Sequence, residues 1–144
     1  MGESPIFYFD RCVGSDIPES LRRLGMKNVY HHHIHRSIVG EKPGPDGVSL
    51  FHHGTRDDVW MNYVGPRGWI VISQDYRFQL EDATLSAIKQ HRVRVFYLWG
   101  AEAPKVESMR TFLNARKKIL EISSINPGPY IFRVRKNGVL KRFM

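Results

Sequence analysis

Two apolar runs that each lead to an aspartate limit the fold of this chain most strongly. Residues 6–9 read Ile-Phe-Tyr-Phe and lead to Asp10, and residues 69–72 read Trp-Ile-Val-Ile and lead to Asp75. Such runs are typical of strands that are buried on both faces of a parallel sheet. Because open α/β sheets bind ligands at the carboxyl ends of their strands, Asp10 and Asp75 are predicted to lie at one functional edge.

Strands and helices are predicted to alternate along the chain. Predicted strands cover residues 6–10, 28–36, 69–73 and 93–99, and predicted helices begin near residues 16, 57, 80 and 104. Alternation of this kind describes βαβ units, for which parallel pairing with right-handed crossovers is the default. The sequence therefore predicts an α/β fold with a mainly parallel sheet.

Helical spacing and capping residues predict details of these helices. Asp16, with Glu19 three residues later, is predicted as the N-cap of the first helix. Apolar spacing places Leu24 on the buried face of that helix and Val59 on that of the second helix. The same spacing places Val106 and Leu113, among others, on the buried face of the long last helix.

The carboxyl-terminal segment is predicted to form a basic β-hairpin over residues 130–143. Its turn contains Asn137-Gly138, the dipeptide most typical of tight hairpins. Its cationic side chains are Arg133, Arg135, Lys136, Lys141 and Arg142. The whole chain carries 22 Lys and Arg against 14 Asp and Glu, a net charge of +8, which favours a nucleic acid or an acidic protein as partner.

The length of 144 residues predicts one domain over 1–144. No apolar run approaches the ~18 residues that span a bilayer, and no signal-peptide pattern begins the chain. The single cysteine, Cys12, fits a reducing compartment and is predicted to be a small buried hydrophobe. We therefore expect a cytoplasmic protein that does not associate with membranes.

A histidine-rich strand and a long loop lie between the two acidic strand ends. Alternation would place His31, His33 and His35 on one face, but a single strand spaces them ~7 Å apart, which disfavours a tetrahedral zinc site. Residues 37–56 are rich in Gly and Pro and are predicted to form a long loop. The loop either lines the substrate cleft or is a tolerated insertion.

Between the two strands, the adjacent acids Asp57 and Asp58 occupy the predicted first turn of a helix. There they complement the helix dipole, or they join Asp10 and Asp75 at the sheet edge. Several carboxylates in one place repel each other unless a cation is bound, and Mg²⁺ or Mn²⁺ prefers oxygen ligands. A small acidic pocket on a basic protein is what a metal-dependent nuclease needs.

The motifs resemble those of PIN-like nuclease domains, in particular the VapC-type toxins of toxin-antitoxin systems. The first motif is Phe9-Asp10-Arg11, followed by a short turn and the Ile-Pro start of a helix. The second is the Asp-Asp-Val-Trp of residues 57–60, and the third is the Gly-Trp strand of residues 68–77, which ends in an acid followed by a basic residue. The likeness continues through residues 95–98 to the Pro-Gly-Pro of residues 127–129.

This resemblance implies a three-layer α/β/α fold and a Mg²⁺- or Mn²⁺-dependent ribonuclease that acts as the toxin of a toxin-antitoxin pair. Asp10, Asp57 and Asp75 are the implied metal ligands and catalytic residues, with Asp58 as an alternative to Asp57. Many relatives carry a further acid where this chain has Arg77, so Glu81, Asp82 or both would substitute for it. Candidate phosphate contacts are Arg11, Ser73, Arg77, Arg133 and Arg135.

Two other functions stay open at this point. The first is a PIN-like module that binds RNA or an antitoxin without cleaving. With either function, the protein could be a monomer or a homodimer. A phosphorylatable receiver domain also gathers acids at a sheet edge. However, it requires adjacent acids after its first strand and a Lys-Pro dipeptide, where this chain has Asp10-Arg11 and Pro104-Lys105.

Overall fold

The fold is built around one mixed sheet, and the computed structural model describes residues 5–31, 56–75 and 81–144. The strands in these residues are β1 (Phe7–Phe9), β2 (Val29–His31), β3 (Ile70–Ser73), β4 (Arg94–Leu98), β5 (Tyr130–Val134) and β6 (Leu140–Arg142). They lie in the order β2-β1-β3-β4-β5-β6. All neighbours are parallel except β5 and β6, which form an antiparallel hairpin. The predicted mainly parallel sheet and the terminal hairpin are confirmed.

Helices cover both faces of the sheet. Those in the described residues are α1 (Asp16–Arg23), α2 (Asp57–Val64), α3 (Asp82–His91) and α4 (Lys105–Ile125). On one face, α1 and α4 pack on the sheet through residues such as Leu21 and Phe112. On the other face, α2 and α3 pack through residues such as Trp60 and Ile88. This arrangement is the expected three-layer α/β/α sandwich.

The apolar strand sequences follow from this burial. Phe7 and Phe9 belong to the core beneath α1 and α4, whereas Tyr8 points into the core beneath α2 and α3. Because successive side chains of a strand point to opposite faces, both faces must be apolar when both are covered. All three side chains are fully buried.

The strand order places a topological switch point between β1 and β3. The chain leaves β1 for β2 on one side and later returns to β3 on the other side of β1. Crevices at such points, outside the carboxyl ends of the strands, are where doubly wound sheets bind their ligands. Asp10 directly follows β1 and Asp75 lies two residues beyond β3, so both flank this position.

Some predicted details near the helix ends were wrong. Helix α1 begins at Asp16 itself, with Ser15 at the N-cap position, so Asp16 is not the cap. Leu24 is 73% exposed because it follows the end of α1, where the chain turns through Gly25. Val59 is also exposed, and Met61 takes its place among the buried residues of α2.

The predicted buried stripe of α4 was partly wrong. Val106 and Leu113 are exposed, whereas Ser108 and Thr111 are buried together with Phe112. The two hydroxyls can be buried because each donates a hydrogen bond to a backbone carbonyl, Ser108 to Gly100 at 2.8 Å and Thr111 to Glu107 at 3.0 Å. A satisfied hydroxyl lowers the penalty for burying a polar group.

Several predictions fall on residues outside the described part of the chain. These are most of the 37–56 loop, His33, His35 and Arg77. His31 is described and is buried at the end of β2. One domain over 1–144 stays a prediction. In the described ranges, no helix is both long enough and apolar enough to cross a membrane.

Gly65 sets how closely α2 approaches α3, which gives a test of the fold. A Cβ at this position would overlap the carbonyl oxygen of His91, the last residue of α3. We expect Gly65→Ala to lower the free energy of unfolding by about 3 kcal/mol, the upper end for overpacking a close contact. Urea unfolding measures this change.

Gly25→Ala is the matched control for Gly65→Ala. Gly25 has open space around it but a φ of +105°, whereas Gly65 has helical angles and no open space. We expect Gly25→Ala to lower the free energy of unfolding by roughly 1–2 kcal/mol through backbone strain alone. A smaller loss for Gly65→Ala than for Gly25→Ala would contradict the close helix contact.

Candidate active site

Asp10 directly follows β1 at the centre of the candidate site, and its carboxylate is held by donors from the next residue, Arg11, and from β3. Its backbone N–H donates to the carbonyl of Ile72 at 3.0 Å, which continues the pairing of the two strands beyond β1. The backbone N–H of Arg11 donates to Asp10 Oδ1 at 2.6 Å, and the hydroxyl of Ser73 donates to Oδ2 at 3.2 Å. Only 2% of the residue is exposed. The carboxylate is therefore fixed in place and removed from water.

The electrostatics of Asp10 are those of a carboxylate crowded by like charges. Burial, and then the neighbouring Asp57 carboxylate, raise the pKa of Asp10 to about 6, against opposing hydrogen bonds from Arg11 and Ser73. Asp75 adds a smaller contribution in the same direction. A group that is hard to ionise for these reasons is one that a bound cation would stabilise strongly.

Ser73 links the two acids that follow the strands. Its Oγ donates to Asp10 and accepts a hydrogen bond from the backbone N–H of Asp75 at 3.0 Å. The side chain is fully buried at the end of β3. One hydroxyl therefore couples the position of the Asp10 carboxylate to the backbone that carries Asp75.

The structure corrects the prediction for Cys12. The residue is exposed, because it lies in a short 3₁₀ turn, Arg11–Val13, directly after Asp10. Its sulfur turns back to the site, 3.5 Å from Asp10 Oδ2, 3.4 Å from Ser73 Oγ and 3.3 Å from the backbone nitrogen of Gln74. Burial of the sulfur and the Asp10 charge raise the pKa of the thiol to about 12. Cys12 is therefore a neutral donor within the site.

Of the two adjacent acids in α2, Asp57 is the one that faces the site. Its Oδ1 accepts a hydrogen bond from the indole Nε1 of Trp60 at 3.0 Å and lies 3.8 Å from Arg11 Nη2. Its side chain is 23% exposed, against 48% for Asp58, which pairs with Arg56 at 3.3 Å. Successive residues of a helix point about 100° apart, so only one of the two can face inward.

An open cleft of about 430 Å³ lies between α2 and α3 and contains Asp57. Arg11, Asp58 and Glu81 also line it. Glu81 precedes α3 and accepts a hydrogen bond from the hydroxyl of Thr84 at 3.3 Å. Asp82 is exposed in the first turn of α3 and is not among the cleft residues. Of the two candidates for the additional acid, Glu81 is the one that shares a cleft with Asp57.

The carboxylates fit a hard divalent cation in their chemistry. Asp10, Asp57 and Asp75 offer oxygen ligands, and a cation beside Asp10 would oppose the burial and the Asp57 charge that raise its pKa. Among the described residues, no three His, Cys, Asp or Glu side chains are close enough to form a cage for an ion. Mg²⁺ does not require such a cage, because it retains several waters and is commonly held by one or two carboxylates and the substrate phosphate.

The predicted phosphate contacts occupy different surroundings. Arg11 lines the cleft beside Asp57, whereas Ser73 is buried beneath the carboxylates. Arg133 is exposed on β5, with its guanidinium carbon 4.7 Å from the ring centre of Phe143. It lies directly opposite Lys141 of β6, a pairing of like charges that disfavours a hairpin. Arg135 is exposed after β5.

Sequence reasoning missed two groups that hold the site together. The indole N–H of Trp60 fixes Asp57, and their i, i+3 spacing on a helix was a signal that could have found this contact. The sulfur of Cys12 contacts Asp10, and only its separation of two residues from Asp10 pointed to the site.

An α/β/α sandwich with acids at its switch point defines an α/β protein with a candidate ligand site at the carboxyl edge of its sheet, and comparison with known families narrows that class. A family model described as a PIN like domain matches residues 5–100. The chain therefore belongs to the family of PIN-like domains, although the match does not single out the VapC-type toxins. Searches of curated proteins and of solved structures each found no match.

Proposed function

We propose that this PIN-like domain is a metal-dependent endoribonuclease. The observation that carries the proposal is the buried carboxylate of Asp10 at the switch point, with its pKa raised to about 6 by burial and by Asp57. Structural carboxylates are usually paired with cations or exposed to water, whereas crowded buried ones mark functional sites. The PIN-like family, whose members are commonly nucleases, supports this chemistry.

In the proposed reaction, Asp10, Asp57 and Asp75 would supply the carboxylate ligands for Mg²⁺ or Mn²⁺, one or two of them directly and the rest through waters that the ion retains. Such an ion, when bound, polarises a phosphodiester and activates water for attack on phosphorus. Asp10 is kept in place by the Ser73 hydroxyl and the Arg11 N–H, so it needs no rearrangement. Because Ser73 is fully buried, we assign it the positioning of Asp10 and not a contact with phosphate.

Arg11 has two roles in this proposal. In the free protein its guanidinium lies 3.8 Å from Asp57 and lowers the repulsion between the carboxylates. It also lines the open cleft, where a phosphate group would attract it away from Asp57. Arg11 therefore stabilises the charge on the scissile phosphate once substrate enters.

The basic hairpin supplies contacts to RNA that do not depend on sequence. Arg133 and Lys141 face each other across β5 and β6, where their repulsion favours a polyanion that lies over both. Affinity for RNA should therefore fall steeply with salt. Arg77, which lies outside the described residues, is proposed as a further contact.

We propose further that the biological role is that of a toxin in a toxin-antitoxin pair, in the cytoplasm. The resemblance of the motifs to VapC-type toxins supports this role. The net charge of +8 also suits an acidic antitoxin that covers the RNA-binding surface. A homodimer is the proposed assembly to test by size-exclusion chromatography with light scattering.

Metal-dependent cleavage is the direct test of the proposed activity. The purified chain is incubated with a structured RNA in Mg²⁺, Mn²⁺ or EDTA, and fragments are resolved on a denaturing gel. We expect cleavage only with a divalent ion, and we expect Asp10→Asn and Asp75→Asn to abolish it. Cleavage that survives both substitutions, or that persists in EDTA, would contradict the proposal.

A PIN-like module that binds RNA without cleaving it is the second candidate. It is favoured by the Arg11 guanidinium 3.8 Å from Asp57, which gives this carboxylate a positive neighbour without a metal. RNA binding with no cleavage under any metal condition would support it. A receiver domain is disfavoured by family membership. Lys105, the lysine of the reversed dipeptide Pro104-Lys105, donates to the carbonyl of Val13 at 3.4 Å and not to one of the acids.

A further inference from the structure

Trp99 is a large aromatic side chain at the functional edge that the proposed reaction does not use. It directly follows β4 and is 38% exposed, whereas Trp60 and Trp69 are buried. Since β4 is the neighbour of β3 and parallel to it, Trp99 lies at the same edge of the sheet as Asp75. An indole exposed at this edge is available to a ligand.

The backbone of Trp99 is tied to the segment that carries the proposed catalytic acids. Gln74 lies between Ser73 and Asp75 in the sequence. Its side-chain amide donates to the carbonyl of Trp99 at 3.5 Å and to Ser108 Oγ at 3.1 Å. The backbone N–H of Trp99 donates to the carbonyl of Val134 at 2.9 Å. The backbone that carries the indole is therefore held on both sides.

An open depression of about 700 Å³ surrounds the indole. The described side chains that line it are Trp99, Arg135, Lys136 and Asn137, and none is acidic. The ammonium of Lys136 lies 5.4 Å from the centre of the Trp99 ring. The depression thus joins one exposed aromatic ring to two cations on the turn between β5 and β6.

We propose that Trp99 is a stacking platform for one unpaired base of an RNA strand, with Arg135 and Lys136 binding its phosphates. Stacking of a base on an aromatic ring contributes more than a solvent-exposed cation-π contact, so a base can displace the flexible Lys136 from the ring. The released ammonium is then free to bind phosphate. The depression therefore offers both groups that bind a nucleotide: an aromatic face for the base and cations for the phosphate.

The position of Trp99 would also affect which phosphodiester is cleaved, an inference that rests on the proposed nuclease function. Trp99 lies two strands away from β1 in the order β1-β3-β4, roughly 10 Å across the sheet at ~4.8 Å per strand. A base held there would fix which phosphodiester of the same strand lies at the proposed metal site beside Asp10. Trp99 is thus a substrate-positioning residue that selects unpaired over paired nucleotides, because bases within a duplex are already stacked.

Binding is measured in the Asp10→Asn background, in which the RNA is not cleaved. Fluorescence anisotropy compares a labelled single-stranded 12-nucleotide RNA with a duplex of the same length. We expect Trp99→Ala to weaken single-strand binding ~5- to 100-fold and to leave duplex binding unchanged. Trp99→Phe keeps a stacking ring and should stay within about threefold of the parent protein.

Controls separate stacking from general effects. Leu24→Ala truncates another exposed apolar residue, at the end of α1, and should leave RNA binding unchanged. Single-stranded RNA should also quench the intrinsic fluorescence of the parent protein, because Trp99 is the exposed one of its three tryptophans. In Trp99→Phe this quenching should be lost while binding persists.

The outcomes distinguish this proposal from the nuclease proposal. An equal loss of single-strand and duplex binding in Trp99→Ala, or no loss at all, would overturn the platform whether or not the wild type cleaves RNA. A loss of single-strand binding alone in Trp99→Ala, with no cleavage by the wild type, would support the stacking platform and contradict the nuclease proposal. Quenching by a polyglutamate peptide and not by RNA would assign the depression to an acidic protein segment and overturn the platform.

Discussion

Asp10→Asn is expected to raise the stability of the metal-free protein at pH 7.5 by up to about 3 kcal/mol while it abolishes cleavage. The pKa of Asp10 rises from 3.8 to about 6 in the folded protein, and each pKa unit corresponds to ~1.4 kcal/mol. At neutral pH the folded protein therefore carries an ionised Asp10 in surroundings that disfavour its charge. Asparagine has the same shape and carries no charge, its oxygen can accept from the Arg11 N–H, and its amide nitrogen can donate to Ser73 Oγ in place of accepting from it.

The pH dependence of this gain has a defined sign. Since the folded pKa of Asp10 lies above the unfolded value, the folded state binds the proton more tightly, and stability falls as pH rises from about 4 to about 6. The penalty is absent below this window and complete above it. The advantage of Asp10→Asn should therefore be largest at pH 7.5 and should vanish near pH 4.

Thermal unfolding of both proteins in EDTA at the two pH values measures this effect. A gain of this size corresponds to roughly 5–10 °C in Tm for a chain of this length. Mg²⁺ or Mn²⁺ should then raise the Tm of the wild type and not that of Asp10→Asn. Two results would contradict the electrostatic assignment. One is an Asp10→Asn protein that is less stable than the wild type at pH 7.5, and the other is a gain in stability over the wild type that is as large at pH 4 as at pH 7.5.

Asp57→Asn and Asp58→Asn are expected to differ strongly in activity although the two positions are adjacent. We expect Asp57→Asn to lower the rate of RNA cleavage by at least about 100-fold, because even partners of metal ligands contribute ~10–100-fold. Asp58 pairs with Arg56 at the surface, so Asp58→Asn should retain activity within about twofold. Initial rates with Mn²⁺ on one RNA measure both.

Stability serves as the control for this pair. An asparagine at position 57 can still accept the hydrogen bond from Trp60, and the partly exposed ion pair with Arg11 contributes only ~0–1 kcal/mol. Both variants should therefore unfold within about 1 kcal/mol of the wild type. Equal activity of the two variants, or a selective loss in Asp58→Asn, would reverse the assignment of the inward acid.

The layout of the edge could be predicted because it depends on strand direction alone. Parallel strands that are followed closely by Asp10 and Asp75 place both acids at one edge whatever the detailed packing. The choice between Asp57 and Asp58 could not be predicted, because it depends on how α2 is rotated on the sheet. That rotation is set by the burial of Trp60 and Met61, which also leaves Val59 exposed.

Small polar residues and one short turn explain two further errors. The apolar pattern of α4 did not include Ser108 and Thr111, which are buried because their hydroxyls donate to backbone carbonyls. Cys12 read as a core residue, but a 3₁₀ turn immediately after β1 returns its sulfur to Asp10. Both outcomes depend on tertiary contacts that a periodic pattern does not contain.

The hydrogen bonds to Asp10 limit how it can coordinate an ion. A carboxylate has about four lone pairs, two on each oxygen. Oδ2 accepts from the Ser73 hydroxyl and from the Cys12 thiol, and Oδ1 accepts from the Arg11 N–H. One lone pair, on Oδ1, is left over. In the proposed metal site, Asp10 would therefore bind an ion through one oxygen, and any second oxygen for the same ion would come from another side chain, from water or from the substrate.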